Sequence, residues 1–339
     1  MRNGTAAVAV EDRSQVGEAR RVAVRLAHEA GLSESARSDI GIVASEAASN
    51  VVRHAGRGKL LLTVMDDVRG AGLELICVDH GPGMSDVQAC MNDGYSSTGT
   101  MGGGLGAMRR LAQDFSIYSA PGIGTALVCR FWRDRGKSAP AAGVSFAGVA
   151  VPVQGESVCG DAWTVVSGAS GTRLLLVDGL GHGAAAAEVA GTAVRIFHEH
   201  PSAQPEQVLG VLHAGMRSTR GAAVSVAFMD RERGQVRYAG VGNISATIVS
   251  GDGTRSLVSH NGTVGHQMRK VQEFVYPWLD GALLVVHSDG LATRWKLDQY
   301  PGLFRQDPGI IAAMLYRDHA RPRDDVSVVA CRLSGEAAA

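Results

Sequence analysis

The sequence lacks the features that would assign it to several large classes of protein. Basic and acidic residues number 33 each among 339, so the formal net charge is zero and indicates neither nucleic acid nor an acidic membrane as partner. No apolar run approaches the length of a membrane span, and charged residues interrupt the amino terminus too early for a signal peptide. We therefore expect a cytoplasmic protein that meets other proteins and small ligands.

Cysteine and aromatic residues are also scarce. Aromatic residues make up 5% of the chain, and the five cysteines form no Cys-x-x-Cys pair. Four of the five lie within apolar runs, which predicts buried free thiols in a reducing compartment rather than disulfides. Glycine, by contrast, occurs 44 times, which favours tight turns and backbone that approaches ligands closely.

The length predicts two domains, since 339 residues exceed what one ordinary core holds. Residues 1–132 predict an α/β sandwich with helices on one face of a mixed sheet. Residues 133–143 are charged, then small with proline and glycine, and predict a linker. Residues 144–339 contain many short apolar runs interrupted by two helical patterns, which predicts a second α/β domain. No internal repeat relates the two halves.

Hydrophobic periodicity and turn residues give the expected elements. In the first domain we predict helices over 16–30, 33–54 and 105–113, and strands over 59–66, 73–79, 115–119 and 125–132. In the second we predict helices over 184–198 and 205–217, and strands over 144–153, 163–166, 173–177, 223–230, 235–240, 246–249, 281–287 and 326–333.

Polar residues on the second predicted helix form the first candidate site. Glu46, Asn50 and His54 are spaced four apart, which places all three on one helix face. An amide oxygen such as that of Asn50 is a hard ligand suited to Mg²⁺, and a carboxylate such as Glu46 is a proton acceptor.

Two glycine-containing loops follow in the same domain. Asp79 ends an apolar run and is followed by Gly81 and Gly83, which puts a carboxylate at a strand end where the backbone can approach a flat ligand such as adenine. A glycine cluster then precedes a helix, where backbone amides and the helix N-terminus favour an anion. That cluster is Gly102-Gly103-Gly104-Leu105-Gly106.

The second domain carries aspartates at strand ends. Asp178 and Asp289 follow strongly apolar runs, Asp161 precedes a predicted strand, and Asp324 and Asp325 precede the last one. A buried carboxylate is costly unless it is paired or bound to metal. Four such positions predict a cluster of hard oxygen ligands for Mg²⁺ or Mn²⁺, and two ions bridged by a carboxylate can activate water against a phosphate ester.

The order of the first set of motifs, with the run from Ser119 to Thr125, resembles the GHKL ATPase family over residues 10–132. The resemblance is strongest to the anti-sigma and stressosome switch serine kinases of the RsbT, RsbW and SpoIIAB types, and residues 97–111 resemble the RsbT lid. It implies the Bergerat α/β sandwich and binding of ATP with Mg²⁺. His28 and His54 are then interpreted as structural.

This resemblance also implies roles for individual residues. Glu46 would be the catalytic base, Asn50 the Mg²⁺ ligand and Asp79 the adenine contact. Thr125 would support the adenine through water. The phosphate lid would be shaped by three glycines, Gly83, Gly104 and Gly106.

Residues 144–333 resemble the SpoIIE branch of the metal-dependent PPM phosphatases. The motifs Gly-Asp-Ala-Trp, Asp-Gly-Leu-Gly-His-Gly, Ser-Asp-Gly and Asp-Asp-Val-Ser stand in the family's order, and residues 240–244 resemble the RsbX-type stressosome feedback phosphatase. The resemblance implies an αββα sandwich with two Mn²⁺ or Mg²⁺ ions.

The metal ligands implied by this second resemblance are aspartates and one carbonyl. Asp178 would bridge both ions, with the Gly179 carbonyl on one of them. Asp161, Asp289 and Asp324 would complete the set, with Asp324 preferred over its neighbour because the family's ligand stands first in that motif. Eukaryotic relatives often carry an acidic residue just before the Asp161 position, where this chain has glycine. His182 has two interpretations: a proton donor to a leaving alkoxide, or a packing residue at a helix start.

Together the two resemblances imply a bifunctional switch. The first domain would phosphorylate serine or threonine on a STAS-domain regulator, and the second would remove such phosphates; a sigma factor is a further candidate partner. Two alternatives remain open: a phosphatase whose GHKL domain senses ATP without chemistry, and a binding module that sequesters a sigma factor or docks into a scaffold. The Glu46 and Asn50 pair favours the switch.

Overall fold

The computed structural model describes residues 4–67, 70–91, 104–134, 143–168, 171–269 and 271–333. The chain packs as two compact units, of which the first contains Met1–Ala139 together with Lys296–Arg317. The second contains Pro140–Trp295 and Asp318–Ala339. The packing therefore differs from the predicted domain division at one place, because Lys296–Arg317 packs with the first unit. Among the described residues, no helix is long and apolar enough to cross a membrane.

The first unit contains a five-stranded sheet in the order β1-β2-β3-β5-β4. Its strands are β1 Thr5–Val10, β2 Gly58–Asp67, β3 Gly70–Asp79, β4 Asp114–Ala120 and β5 Gly124–Trp132. The predicted mixed sheet is wrong, since all four neighbouring pairs are antiparallel. Two of these pairs are hairpins, which antiparallel strands form through short turns. The unpredicted strand β1 is rich in alanine, a weak strand former.

Helices cover one face of this sheet. They are α1 Arg13–Glu29, α2 Glu34–Asn50, the short α3 Val87–Met91 and α4 Gly104–Leu111. Asp12 caps α1 in a capping box with Gln15, and Ser33 caps α2, its hydroxyl accepting from the Ala36 amide at 3.2 Å. Alanines of α1 and α2 lie fully buried against the leucines of β2 and β3, which lets these helices approach the sheet closely.

The other face of the same sheet is buried as well. Leu61, Ile76, Val78 and Val128 point away from α1 and α2, and each is about 1% exposed. Helix α7, Pro308–His319, was not predicted from the sequence, and it belongs to this unit up to Arg317. Its residues from Pro308 to Tyr316 are all buried, so it lacks the polar face that makes a surface helix recognisable.

The second unit contains two five-stranded sheets, in the orders β13-β10-β9-β8-β7 and β12-β11-β14-β15-β6. The strands are β6 Val144–Val151, β7 Asp161–Gly168, β8 Gly171–Gly179, β9 Ala222–Asp230, β10 Gln235–Val241, β11 Ser245–Ser250, β12 Gly253–Ser256, β13 Phe274–Pro277, β14 Leu283–His287 and β15 Val326–Leu333. Helices α5, Ala184–Glu199, and α6, Pro205–Gly215, pack on the first of these sheets.

Strand β8 shows why this unit is a layered sandwich. Its residues Leu175 and Val177 pack in the core beneath α5 and α6, whereas Leu174 and Leu176 pack in the core shared by the two sheets. Alternation along a strand thus divides one continuous apolar run between two cores. The predicted α/β sandwich is confirmed. Four of the five cysteines are buried and Cys90 is partly exposed, and all five are free, as predicted.

Candidate functional site

In the first unit, the end of helix α2 and the start of α4 bring three predicted residues together. A Cβ atom added at Gly104 would lie 3.0 Å from Glu46 Oε2 and 3.8 Å from Asn50 Nδ2. The backbone at the start of α4 therefore approaches the polar face of α2 directly, and only a residue without a side chain leaves Glu46 in place. A carboxylate, an amide and free helix N-terminal backbone groups now share one small region.

His54 lies beyond helix α2, which ends at Asn50; Val51–Ala55 form a turn of π-helix. That His54 shares a face with Glu46 and Asn50 stays a prediction. The His54 side chain is exposed, which agrees with its having no part in the site.

Asp79 is fixed by two backbone amides at the end of β3. The amides of Gly81 and Thr125 donate to Asp79 Oδ1 at 2.8 Å and 3.1 Å. Burial raises the pKa of Asp79, and these two hydrogen bonds act in the opposite direction. Both bonds reach the same carboxyl oxygen, which leaves the second oxygen for the amino group of a base. Thr125 thus contributes through its backbone.

Ser119 also belongs to this region, although sequence reasoning gave it no role. Its hydroxyl accepts from the Met84 amide at 2.9 Å and lies 3.0 Å from Thr125 Oγ1. It therefore joins the loop after Asp79 to the hairpin that carries Thr125. Its place within the conspicuous run from Ser119 to Thr125 was the available signal.

The glycines of this pocket are required by packing. Gly83 has φ +73°, and an added Cβ would lie 2.0 Å from the Ala120 carbonyl oxygen. At Gly81 an added Cβ would lie 2.8 Å from the Ala55 Cβ. Gly106 is buried within α4, and Leu105 packs against the core of the unit. Gly102 and Gly103 lie outside the described residues.

In the second unit, Asp161 and Asp178 stand directly opposite each other on β7 and β8. Burial raises the pKa of Asp161 to about 7 and that of Asp178 to about 8. The negative charges of Asp161, Asp289 and Asp324 raise the pKa of Asp178 further. The structure therefore brings the four predicted aspartates close enough to repel one another.

The chemistry of this cluster fits a cation. Asp161 Oδ2 is buried and has no hydrogen-bond partner among the described residues. A buried carboxylate in that state is stabilised by a positive charge, which would also relieve the mutual repulsion of its neighbours. No three histidine, cysteine or acidic side chains in the described part of the chain already converge on a single ion position.

Asp325 has a different environment from Asp324. Its two carboxyl oxygens accept from the amides of Val153 and Gly160, both at 2.7 Å, and its side chain is buried. Asp324 accepts from the following amide at 2.9 Å, and burial, the charge of Asp289 and a side-chain hydrogen bond with Asp289 raise its pKa. The preference for Asp324 as a metal ligand is thus consistent with the hydrogen bonds.

Close packing also explains the glycine that precedes Asp161. An added Cβ at Gly160 would lie 2.7 Å from both the Ala186 Cβ and Asp325 Oδ2. The acidic residue that eukaryotic relatives often have at this position would displace the strand that carries Asp161.

Asn243 contacts a predicted ligand, although the sequence analysis did not single it out. Its Nδ2 donates to Asp289 Oδ2 at 2.5 Å, which fixes the orientation of that carboxylate. The signal was its position in the segment 240–244. His182 Nδ1 lies 2.8 Å from Glu156 Oε1, and the His182 side chain is 61% exposed, which argues against a packing role.

Comparison with known proteins agrees with both sites. Residues 9–131 match the family described as Histidine kinase-like ATPase domain, and residues 168–334 match Stage II sporulation protein E (SpoIIE). The chain is similar to the serine/threonine-protein kinase RsbT of Bacillus subtilis (strain 168), with 34% identity over 114 residues that span 34% of this chain and 86% of RsbT. It is also similar to the phosphoserine phosphatase RsbX of the same organism, with 24% identity over 139 residues that span 41% of this chain and 70% of RsbX.

Two solved structures show the fold of part of the chain. One comes from a study of the bacterial stressosome as a modular system for secondary messenger signalling; it has 26% identity and a TM-score of 0.53, and covers 56% of this chain and 99% of that one. The other is RsbX in complex with magnesium, with 21% identity and a TM-score of 0.52 over 58% of this chain and 98% of that one.

Proposed function

The chain belongs to the histidine kinase-like ATPase family of RsbT and joins that domain to a SpoIIE phosphatase domain, and we propose from this premise that it is a bifunctional phosphorylation switch. Its first unit transfers phosphate from ATP to a serine or threonine, and its second unit removes such phosphates. The observation that supports the proposal is that each unit brings its own set of candidate residues together: Glu46, Asn50 and Gly104 in one, and four aspartates that raise one another's pKa in the other.

In the kinase unit, the protein positions ATP and the attacking hydroxyl and neutralises the charge of the phosphates, which is what phosphoryl transfer mainly requires. Glu46 takes the proton of the attacking hydroxyl, and Asn50 supplies an oxygen to the Mg²⁺ that accompanies ATP. Asp79, fixed by its two amide donors, receives the adenine amino group, and Thr125 supports the base through water. The glycine-rich lid, to which Gly104 and Gly106 belong, would bind the phosphates through its backbone amides.

In the phosphatase unit, Asp178 and the Gly179 carbonyl would hold the metal ions with Asp161, Asp289 and Asp324. Two bound Mn²⁺ or Mg²⁺ ions supply an activated water and neutralise the phosphate. Asn243 orients Asp289, and Asp325 fixes the loop from which Asp324 projects. His182, held by Glu156 at an exposed position, donates a proton to the leaving alkoxide.

The substrate is a STAS-domain regulator. Similarity to RsbT, to RsbX and to a structure from the stressosome study supports this choice. A sigma factor is a second partner to test.

The deciding experiment mixes the Asp178→Asn variant with a STAS-domain protein, γ-labelled ATP and Mg²⁺. We expect label on a serine or threonine of the partner, and its removal when wild-type protein and Mn²⁺ are added. Glu46→Gln in the same background is the control and should give no label while still binding ATP.

The same experiment separates the alternatives. Absence of label across several STAS-domain partners, with ATP binding intact, would favour a phosphatase that senses ATP. Stoichiometric binding of a partner that depends on nucleotide, with neither label nor hydrolysis, would favour a binding module.

A further inference from the structure

One segment of the chain packs with the first unit, although the chain on both sides of it packs with the second. Lys296–Arg317 lies in sequence between Asp289 and Asp324, two residues assigned to the phosphatase metal centre, yet it packs within the ATPase unit. The following contacts show that this packing is specific.

A buried ionic triad holds the segment. Arg130 Nη1 and Nη2 donate to the two carboxyl oxygens of Asp307 at 2.8 Å and 2.7 Å, and Arg130 Nε donates to Glu74 at 2.7 Å. Glu74 and Arg130 are opposite each other on β3 and β5, and their side chains are 3% and 12% exposed. Because Arg130 bonds to both carboxylates, its Nε, Nη1 and Nη2 groups all have partners in this triad only when Asp307 is in place.

Arg317 contacts the frame of the nucleotide pocket. Its Nη1 donates to the carbonyl oxygens of Asp79, at 2.5 Å, and of Ile123, at 2.8 Å. Asp79 is the proposed adenine contact, and Ile123 stands two residues before Thr125, whose amide binds the Asp79 carboxylate. Gly124 has φ +98°, and an added Cβ would lie 2.3 Å from the Asp79 carbonyl oxygen and 2.9 Å from Arg317 Nη1, so the backbone already requires glycine at the position that Arg317 approaches.

The residues that flank the segment on each side belong to the second unit, where they are bonded to the strand and loop that precede and carry Asp289. At the start, Trp295 Nε1 donates to His287 Nε2 at 3.2 Å, and His287 ends strand β14 just before Ser288 and Asp289. At the other end, the Ala292 amide donates to the His319 carbonyl at 2.9 Å, and the Arg321 amide to the Gly290 carbonyl at 2.7 Å. The loop that carries Asp289 is therefore hydrogen-bonded to residues on the carboxy-terminal side of the segment, and Trp295 on its amino-terminal side is bonded to the strand before that loop.

We propose that Lys296–Arg317 is a coupling segment, with Arg317 a positioning residue for the nucleotide pocket, so that nucleotide bound in the first unit changes the activity of the phosphatase in the second. The proposal rests on the nucleotide and metal sites proposed above, and it does not require that the first unit transfers phosphate. Arg317 acts through the two carbonyl groups it binds.

The test measures hydrolysis of p-nitrophenyl phosphate at a fixed free Mn²⁺ concentration, with and without a saturating non-hydrolysable ATP analogue. Binding of a fluorescent nucleotide is measured in parallel. We expect the analogue to change the wild-type rate about 5-fold or more, the lower end of ordinary allosteric coupling. In Arg317→Ala, nucleotide affinity should fall about 5-fold or more, and the phosphatase rate should no longer respond even at saturating nucleotide.

Two further variants make the result specific. Arg305→Ala removes an exposed arginine of the same segment and should behave as wild type. Arg317→Lys keeps a cationic donor and should recover part of the response, which also covers the case in which Arg317→Ala fails to fold.

Each contrary result has a separate meaning. A wild-type rate that ignores bound nucleotide, or a full response in Arg317→Ala, would overturn the coupling segment. Failure of the wild-type chain to bind nucleotide would overturn the nucleotide site itself, and the binding measurement distinguishes this from the first failure.

Discussion

Asp161 and Asp178 illustrate at the scale of single residues how burial and clustering raise the pKa of carboxyl groups. The pKa of each is raised, to about 7 and about 8, from a usual value of 3.8. At pH values between 3.8 and these raised pKa values, the folded, metal-free protein keeps protons on Asp161 and Asp178 that the unfolded chain releases. The stability that these protons represent is present at low pH and is lost as the pH rises through the folded pKa values.

We therefore expect the free energy of unfolding of the metal-free protein to fall as the pH rises from about 5 to about 8, by roughly 2 kcal/mol or more. Asp178→Asn should flatten this dependence, because it removes one buried carboxyl group and the repulsion it exerts. Urea unfolding across this pH range in the presence of a chelator measures the effect, and added Mn²⁺ should restore stability most at the upper end. Equal slopes in wild type and Asp178→Asn would contradict this account.

Gly290 of the Ser-Asp-Gly motif illustrates a second constraint at the residue scale. An added Cβ would lie 1.9 Å from the Asp325 carbonyl oxygen, which is backbone and cannot rotate away. We expect Gly290→Ala to lower the free energy of unfolding by about 3 kcal/mol or more, and to reduce phosphatase activity because the strain displaces the loop beside Asp324.

The matched control for Gly290→Ala is Gly210→Ala. Gly210 lies in α6, and an added Cβ there meets no atom within 4 Å. Alanine is the better helix former, so this change should raise stability by about 0.5–1 kcal/mol in the same urea titration. Equal effects of the two substitutions would show that the close contact at Gly290 is relieved at little cost.

At the scale of elements, the triad of Glu74, Arg130 and Asp307 links strands β3 and β5 to the start of helix α7. Burial raises the pKa of Glu74 despite the nearby guanidinium. Burial also acts to raise the pKa of Asp307, but its bidentate contact with Arg130 outweighs this and lowers that pKa. Arg130 is therefore the cation that bonds to both buried carboxylates, Glu74 and Asp307.

Arg130→Met should lower the free energy of unfolding by about 3–5 kcal/mol, because it leaves two buried carboxylates without a cation. Arg25→Met is the control: it breaks an exposed pair with Glu29 on helix α1 and should cost at most about 0.5 kcal/mol. Chemical denaturation of both variants gives the comparison. A cost for Arg130→Met no larger than that of Arg25→Met would indicate that α7 does not depend on the triad.

At the scale of the whole molecule, the order of segments along the chain differs from their division between the two packed units. The first unit includes Lys296–Arg317, which the chain supplies only after most of the second unit, and the apolar face formed by Leu61, Ile76, Val78 and Val128 is buried. The residues of the two units are therefore interleaved in the sequence.

A chain truncated after residue 143 should consequently be less stable and more prone to aggregation than one in which residues 296–319 are appended through a flexible linker. The truncation exposes an apolar sheet face and leaves Arg130 with one partner fewer. Thermal unfolding followed by light scattering tests this. Asp307→Ala in the appended segment should cancel much of its benefit, and no gain from the intact segment would contradict the expectation.

The sequence by itself predicted the family to which each of the two domains belongs. The order of Glu46, Asn50, Asp79 and the glycine cluster indicated the ATPase domain, and the strand-end aspartates indicated the phosphatase. These residues were recognisable because each is of an unusual type for its local setting, a carboxylate after an apolar strand or glycines before a helix. Alternation and turn residues likewise predicted most strands, since they are local properties.

The tertiary structure alone decided the rest. The antiparallel sheet, the use of Asp325 by two backbone amides, and the lack of room beside Gly160 depend on segments far apart in the chain. Helix α7 could not be predicted from the sequence, because a helix buried on all sides lacks the amphipathic pattern of a surface helix. The continuous apolar run of β3 did carry a signal for it: a strand that is apolar on both faces needs cover on both. Which segment supplies that cover depends on long-range packing and on the partner that Arg130 finds in Asp307.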